Sequence, residues 1–189
     1  HIQEHVDQAS KDLADERGAC PDAADYGYNE RFSNKTAIAP TASISIICGG
    51  ASPGVEPVAA NSYTHKTLSG SFNVRNRYLV ELLEKHGKNT DDVWSGITTN
   101  QGSVSHLDFL TDLEKDVFKT AFELDQKWII ELSGDRTPYI SQAQSINLFV
   151  PADIHKRELH KIHFDAWKKG LKSLYYCRSK SIQRAENVN

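Results

Sequence analysis

Three short apolar segments limit what this chain can fold into. Thr36-Ala37-Ile38-Ala39 is stopped by Pro40, Ile146-Asn147-Leu148-Phe149-Val150 is stopped by Pro151, and Leu174-Tyr175-Tyr176 lies near the C-terminal end. Each reads as a brief strand, since proline donates no ladder hydrogen bond and closes a strand. Stretches with helical spacing separate them. Ile2, Val6 and Leu13 predict a helix over 2–17 closed by Gly18. Tyr78, Leu79, Leu82 and Leu83 predict another that stops near Gly87, and 91–97 reads as a short one. Leu113, Val117, Phe118, Ala121, Leu124, Trp128 and Ile129 predict one long helix over 112–132. A short helix through Ile140 to Gln144 is expected after Gly134, then a helix capped by Asp153 and running to about Lys172. Residues 19–35 read as loop and 61–74 as extended chain. Residues 41–48 fit either an alternating strand or a short helix capped by Thr41 or Ser43. This order of elements is α/β, with strands too few and too short for a complete sheet.

Composition narrows the function. The 189 residues hold 22 Lys and Arg against 25 Asp and Glu, a net charge of −3. That balance argues against a dedicated nucleic-acid surface. No apolar run reaches the roughly 18 residues of a membrane helix, and no signal-peptide pattern opens the chain. Cys20, Cys48 and Cys177 are too few and too scattered for a disulfide framework, so a reducing, cytoplasmic setting is expected. The chain lacks Met and opens on His1, which reads as a fragment or a processed or trimmed product.

Four groups of residues are candidates for chemistry. In Pro40-Thr41-Ala42-Ser43-Ile44-Ser45 a proline-stopped strand meets small and hydroxyl residues that can open a helix. Free N–H groups at such a start point at an anion, and the hydroxyls add donors. No Gly-Lys-Ser/Thr follows, so it is not a Walker loop. An ordinary capped helix explains the same pattern. Tyr175-Tyr176 is the second group. Adjacent residues on a regular strand point to opposite faces, so the rings stack only if the strand ends or twists there. One core and one interface tyrosine is the plain reading. Redox is the other, because tyrosine keeps its proton at neutral pH and is oxidised by losing an electron and a proton together. His155, His160 and His163 form the third group. His160 and His163 share a helix face but Glu158 lies off it, so a solvated face is expected and no metal site. Last, Cys20 and Cys48 are expected to be small apolar fillers, and Glu56 a structural hydrogen-bonding group rather than a base.

In combination the motifs say more than any one of them. Ala39-Pro40-Thr41-Ala42-Ser43-Ile44-Ser45, Gly54-Val55-Glu56-Pro57, Gln142-Ala143-Gln144-Ser145-Ile146-Asn147 and Gly170-Leu171-Lys172-Ser173-Leu174-Tyr175-Tyr176 occur in one order, after Gly18-Ala19-Cys20-Pro21. This series resembles the C-terminal part of the large, catalytic subunit of class I ribonucleotide reductases. The resemblance implies the C-terminal portion of a ten-stranded α/β barrel, covering residues 1–177, with 178–189 as a polar extension that frays. It implies that Pro40, Thr41, Ala42, Ser43 and Ile44 hold the substrate phosphates, Ile44 through its backbone N–H alone. It implies that Tyr175 and Tyr176 pass a radical, Tyr175 nearer the active site and Tyr176 nearer the small subunit.

The departures define what else is required. The family's radical-bearing Cys sits in Asn-x-Cys-x-Glu, and Asn147-Leu148-Phe149 does not match it. Cys177 matches neither the barrel Cys pair nor the tail pair. The implied partners are therefore the N-terminal part of the large subunit, the small (beta) subunit and a ribonucleoside diphosphate, with no nucleic acid and no membrane. No cofactor is expected on this chain. A dimetal centre and tyrosyl radical are expected in the small subunit, and nucleotide effectors on the N-terminal part. Two alternatives stand beside this reading: a non-catalytic fragment that docks on another subunit, and part of a cobalamin-dependent relative, which needs no tyrosine relay.

Overall fold

The computed structural model describes residues 1–49, 52, 54–67 and 70–179. Helices α1 (Ile2–Arg17), α2 (Pro21–Asp25) and α3 (Ala42–Ile47) come first, then strands β1 (Ser62–Thr67) and β2 (Gly70–Arg75). Helices α4 (Arg77–Lys85), α5 (Asp91–Thr99), α6 (Asp112–Val117) and α7 (Lys127–Arg136) follow, then β3 (Leu148–Val150), α8 (Lys156–Lys168) and β4 (Cys177–Ser179). The chain divides into two compact units. One comprises 1–41, 126–148 and 154–177; the other comprises 42–125 and 149–153 with the last described residues.

The second unit is built on Leu79 and Leu83 of α4 and Trp94 and Ile97 of α5, which close on Val104, Leu107 and Leu110. The spacing of four between Leu79 and Leu83 puts both on one helix face. Asn76 and Thr90 cap the two helices with their side chains, as expected of Asn and Thr before an apolar run. Asn61 ties this core to its loops. It is fully buried, and its Nδ2 donates to the carbonyls of Gly102 at 2.9 Å and Phe118 at 2.7 Å. Its Oδ1 accepts from Asn76 Nδ2 at 2.9 Å. Gly102 has φ +84, and a Cβ there would lie 2.4 Å from the Ala60 Cβ, so only glycine fits this approach.

Strands β1 and β2 form an antiparallel hairpin in which Ser62 faces Arg75 and Thr64 faces Asn73. That polar face meets α5: Ser62 Oγ lies 3.0 Å from Thr98 Oγ1, and Arg75 pairs with Asp91 at 3.0 Å. The other face carries Tyr63 and Phe72, both exposed. The ordinary sense of an amphipathic hairpin is thus reversed.

The first unit packs Ile129 and Ile130 of α7 and Ala166 of α8 against Ile146 and Leu148, with Ile162, Leu171 and Leu174 at the margin. Backbone bonds link three extended segments. Ile38 N–H donates to Ala143 O at 3.0 Å and Ser145 N–H to Ile38 O at 2.8 Å, a parallel bridge between Ile38 and Gln144. Beyond it, Tyr175 N–H donates to Ile146 O and Leu148 N–H to Tyr176 O, both at 2.8 Å. Segment 142–148 therefore lies between 36–38 and 175–176.

Several elements differ from the sequence expectation. The expected strand Thr36–Ala39 is a single bridge at Ile38. Residues 19–35 hold α2, begun by Pro21 at the first helical turn. Of the two readings of 41–48, the short helix holds, as α3 over Ala42–Ile47. The long helix over 112–132 is two helices. Between them Thr120 gives its N–H and hydroxyl to Glu123 Oε2 at 2.8 and 2.9 Å, and Ala121 N–H goes to Val58 O at 2.8 Å. These bonds replace the helical ladder, and Leu113, Val117 and Trp128 are 74%, 67% and 62% exposed rather than one buried stripe. Helix α7 runs through Gly134, whose missing Cβ admits the Lys169 chain at 2.9 Å. Residues 137–139 form a 3-10 turn, and 140–144 are not helical but bend at Ser141 and Gln142 and reach the bridge at Gln144. His155, not Asp153, caps α8: its Nδ1 accepts from Arg157 N–H at 3.1 Å. The last strand is Cys177–Ser179 rather than Leu174–Tyr176, so the polar extension begins inside β4. Residues 180–189 lie outside the described residues.

Glu114 closes α6 in a capping box with Thr111 and meets His86 Nε2 at 2.9 Å. The His86 contact, then the Thr111 bonds, hold its carboxyl down at about 2, against an ordinary 4.5. A depressed carboxyl stabilises the fold above its unfolded pKa and loses that contribution as pH falls through the folded value. Wild type is expected to lose stability between about pH 4.5 and 2, and Glu114→Gln to flatten that part of the profile; urea midpoints across the range check this. Asn61→Leu removes the side-chain bonds to the Phe118 carbonyl and the Asn76 amide, while Gly102 O keeps the backbone N–H of residue 61; it is expected to cost about 1–3 kcal/mol, read from the urea midpoint.

Candidate functional site

Pro40 and Thr41 lie just past the Ile38 bridge, where the chain leaves the extended segment and enters α3. Thr41 has φ 55, in the left-handed region that a β-branched residue rarely enters. Ala42 then begins the helix. A left-handed residue followed by a right-handed one turns successive N–H groups to one side, the arrangement of an anion-binding nest. Ala42, Ser43 and Ile44 occupy the first turn of α3, where N–H groups lack helical acceptors. Ser45 is buried, and its hydroxyl donates back to Ala42 O at 2.8 Å. Ile44 is exposed. The stretch thus offers backbone donors from Ala42 to Ile44 next to one strained residue.

The base of this stretch is anchored. Lys35 pairs with Asp7 at 2.6 Å and Glu30 at 3.1 Å. The Asp7 carboxylate above all raises the Lys35 pKa, against the opposing effect of burial. Ser141 Oγ accepts from the N–H groups of Lys35 at 2.8 Å and Thr36 at 2.9 Å. Ser141 N–H donates to Thr36 Oγ1 at 2.9 Å, and Gln142 N–H to Thr36 O at 2.9 Å. Lys172 Nζ donates to Ser141 O. Gln144 is 5% exposed. Its Nε2 donates to Ser133 O at 2.8 Å and Thr137 Oγ1 at 3.1 Å, and its Oε1 accepts from Arg136 Nε at 3.1 Å. Sequence reasoning did not single out Thr36, Ser141 or Gln144 as functional. Their one signal was polar residues leading into a buried apolar run.

Tyr175 and Tyr176 lie immediately before β4. Their ring centroids are 4.1 Å apart with planes at 52°. Successive side chains of a regular strand could not meet so closely, and the strand indeed starts only at Cys177. The rings are 47% and 52% exposed, so neither is a core tyrosine.

The remaining candidates make the following contacts. His155 is a helix cap, His160 stacks on Phe164 with centroids 6.0 Å apart, and His163 Nδ1 lies 2.8 Å from Leu159 O. Among the described residues no three His, Cys, Asp or Glu side chains converge as metal ligands do. Cys20 is half-buried, while Cys48 is exposed and therefore no core filler. Glu56 is buried, and its backbone carbonyl accepts the Ser52 hydroxyl. No described helix is long and apolar enough to cross a membrane.

Residues 3–177 match the family described as ribonucleotide reductase, barrel domain. The chain is 49% identical to the ribonucleoside-diphosphate reductase large subunit of Invertebrate iridescent virus 6, over all of this chain and 20% of that protein. It is 36% identical to the corresponding large subunit of Caenorhabditis elegans, over 77% of this chain and 18% of that protein. The Actinobacillus ureae class Id ribonucleotide reductase alpha subunit superposes on 98% of this chain and 34% of its own, with TM-score 0.79 and 38% identity. The chain thus spans about a fifth to a third of the length of these relatives.

The strained backbone at Thr41 makes a direct prediction. Thr41→Gly removes a left-handed penalty of about 1–2 kcal/mol and adds backbone entropy to the unfolded chain, for a net gain of about 0.5–1 kcal/mol. A raised urea midpoint checks this, and Thr41→Val should bring no such gain.

Proposed function

The chain belongs to the ribonucleotide reductase barrel-domain family, and we propose on that footing that it works within a large, catalytic subunit that reduces ribonucleoside diphosphates to deoxyribonucleotides. Its mixed helix and strand fold is the C-terminal part of that barrel. Its share of the reaction is twofold: the stretch Pro40 to Ile44 receives the substrate phosphates, and Tyr175 and Tyr176 carry the radical.

The observation that supports the relay most directly is the 4.1 Å separation of the tyrosine rings. A tyrosine oxidised from its phenol gives up an electron and its proton together. An oxidised Tyr176 takes one electron and one proton from Tyr175 and is restored to the phenol. The Tyr175 radical then takes an electron and a proton from a cysteine elsewhere in the large subunit. The resulting thiyl abstracts the sugar hydrogen. The first oxidation comes from a small subunit, which holds the dimetal centre and tyrosyl radical. Two exposed rings in contact suit a relay that receives its radical from another polypeptide. A cobalamin-dependent enzyme makes its radical beside the substrate and needs no such pair.

For the phosphates, the support is the left-handed Thr41 leading into the first turn of α3. Aligned backbone donors bind an anion without a charged side chain. Ala42 and Ile44 contribute N–H groups, as do Thr41 and Ser43. Pro40 has none, and its ring instead fixes the direction in which the chain leaves the strand.

Reconstitution tests this reading. This chain, the N-terminal part of the large subunit and the small subunit together are expected to reduce cytidine diphosphate. Tyr175→Phe and Tyr176→Phe are each expected to lower turnover to background while leaving nucleotide binding unchanged, since phenylalanine keeps the ring but has no O–H to oxidise. Turnover that survives either change would point to a radical generated on site. A stable complex with no turnover under any thiol reductant or effector would leave the chain an assembly element only.

A further inference from the structure

The two candidate sites share one root. Thr36 and Lys172 lie four and three residues before Pro40 and Tyr175. Both are bonded to the same residue, Ser141, at the start of the middle segment. Ser141 Oγ accepts two backbone N–H groups, from Lys35 and Thr36, and its own N–H donates to Thr36 Oγ1. Its carbonyl accepts Lys172 Nζ. Thr36 Oγ1 also reaches Tyr139 O at 3.2 Å. One hydroxyl residue therefore joins three segments at the ends from which they run toward the candidate sites. Ser141 and Thr36 are half-buried, and neither touches the tyrosine rings or the 40–44 stretch through any described bond.

We propose that Ser141 is a positioning residue for the reaction: with Thr36 it sets the register of the segment that leads to the Pro40–Ile44 stretch, and with Lys172 that of the segment that leads to Tyr175-Tyr176. This rests on the functional reading above. Register matters because a one-residue slip turns every side chain of an extended segment to the opposite face. A slip of 36–38 would carry Thr41 and the helix start with it. A slip of 172–176 would separate two rings that now lie 4.1 Å apart. Segment 142–148 cannot absorb either shift. Gln144 clamps it to Ser133, Arg136 and Thr137, and Ile146 and Leu148 are fixed in the core.

The two arms of Ser141 separate in a kinetic experiment. In the assembled reductase, Thr36→Val keeps the shape of the side chain but removes the acceptor for Ser141 N–H. It is expected to raise KM for cytidine diphosphate and leave kcat at wild type. Lys172→Met keeps a long apolar stem but removes the donor to Ser141 O. It is expected to lower kcat and leave KM at wild type. Ser141→Ala breaks the hydroxyl bonds to the first arm and loosens the root of both, lowering kcat/KM by about 10- to 100-fold, the scale of a misplacement near 1 Å. Ser141→Thr, which retains the hydroxyl, is expected to recover most of it.

A purely structural role would lower the thermal midpoint of these variants while kcat and KM, measured well below that midpoint, stayed at wild type. That result overturns the proposal, and so does a variant that moves both constants together from either single arm. Tyr175→Phe is run alongside. If it retains turnover, the relay itself is wrong. If it abolishes turnover and the arms still fail to separate, the error lies in the role given to Ser141.

Discussion

The segment 142–148 is hydrogen-bonded along both edges, and the placement of both candidate sites follows from that. On one side Ala143 O accepts from Ile38 N–H and Ser145 N–H donates to Ile38 O; on the other Ile146 O accepts from Tyr175 N–H and Leu148 N–H donates to Tyr176 O. Its apolar side chains, Ile146 and Leu148, face α7 and α8, so the same seven residues serve the core and the ladder. Buried backbone groups demand partners, and a segment this short satisfies them only with a neighbour on each side. The stretch 40–44 follows the point where one neighbour leaves the ladder, and the tyrosine pair is where the other enters it.

Much of this was legible in the residues. The apolar run Ile146 to Val150 with Pro151 after it marked the central segment, and Pro40 marked the end of its neighbour. Helices α1, α4 and α5 followed from apolar spacing, from Gly18 and Gly87 as stops and from the run 91–97, while their caps Asn76 and Thr90 came from the structure. What periodicity misread was the stretch 112–132. Leu113, Val117 and Trp128 repeat as a buried stripe would, yet they are exposed. The break is made by a polar contact, Thr120 to Glu123, and by a backbone bond to Val58, more than sixty residues upstream. A hydrophobic pattern carries no record of either. The expected helix end at 132 was short for a similar reason, since α7 runs on through Gly134 to Arg136. The missing Cβ makes room for Lys169 of another helix, which local sequence does not announce.

The candidate site was legible in its ends and hidden in its supports. A proline before Thr, Ala and Ser suggested backbone donors, and the adjacent tyrosines suggested a pair if the strand were interrupted there. The interruption is observed, with β4 beginning one residue later. By contrast, Thr36, Ser141 and Lys172 look in sequence like ordinary surface residues. Their importance comes from contacts about thirty to a hundred residues apart. In the same way His155, weighed as a metal ligand, serves as a helix cap because its ring nitrogen meets Arg157 N–H. One residue type served a different need, and only the backbone around it decides which.

Thr41 has one more consequence. A residue that folding already holds at φ 55 has given up its conformational freedom before any ligand arrives. Ordering a flexible residue costs about 1–2 kcal/mol, and a flexible loop would draw that amount from the binding energy of its anion. Here the cost falls on the fold instead. On the phosphate-binding reading proposed above, the donors need no prior ordering before an anion arrives. On that reading, relaxing Thr41 makes the protein sturdier and the stretch a slower, weaker receptor. Stability and capture are set against each other at a single backbone angle.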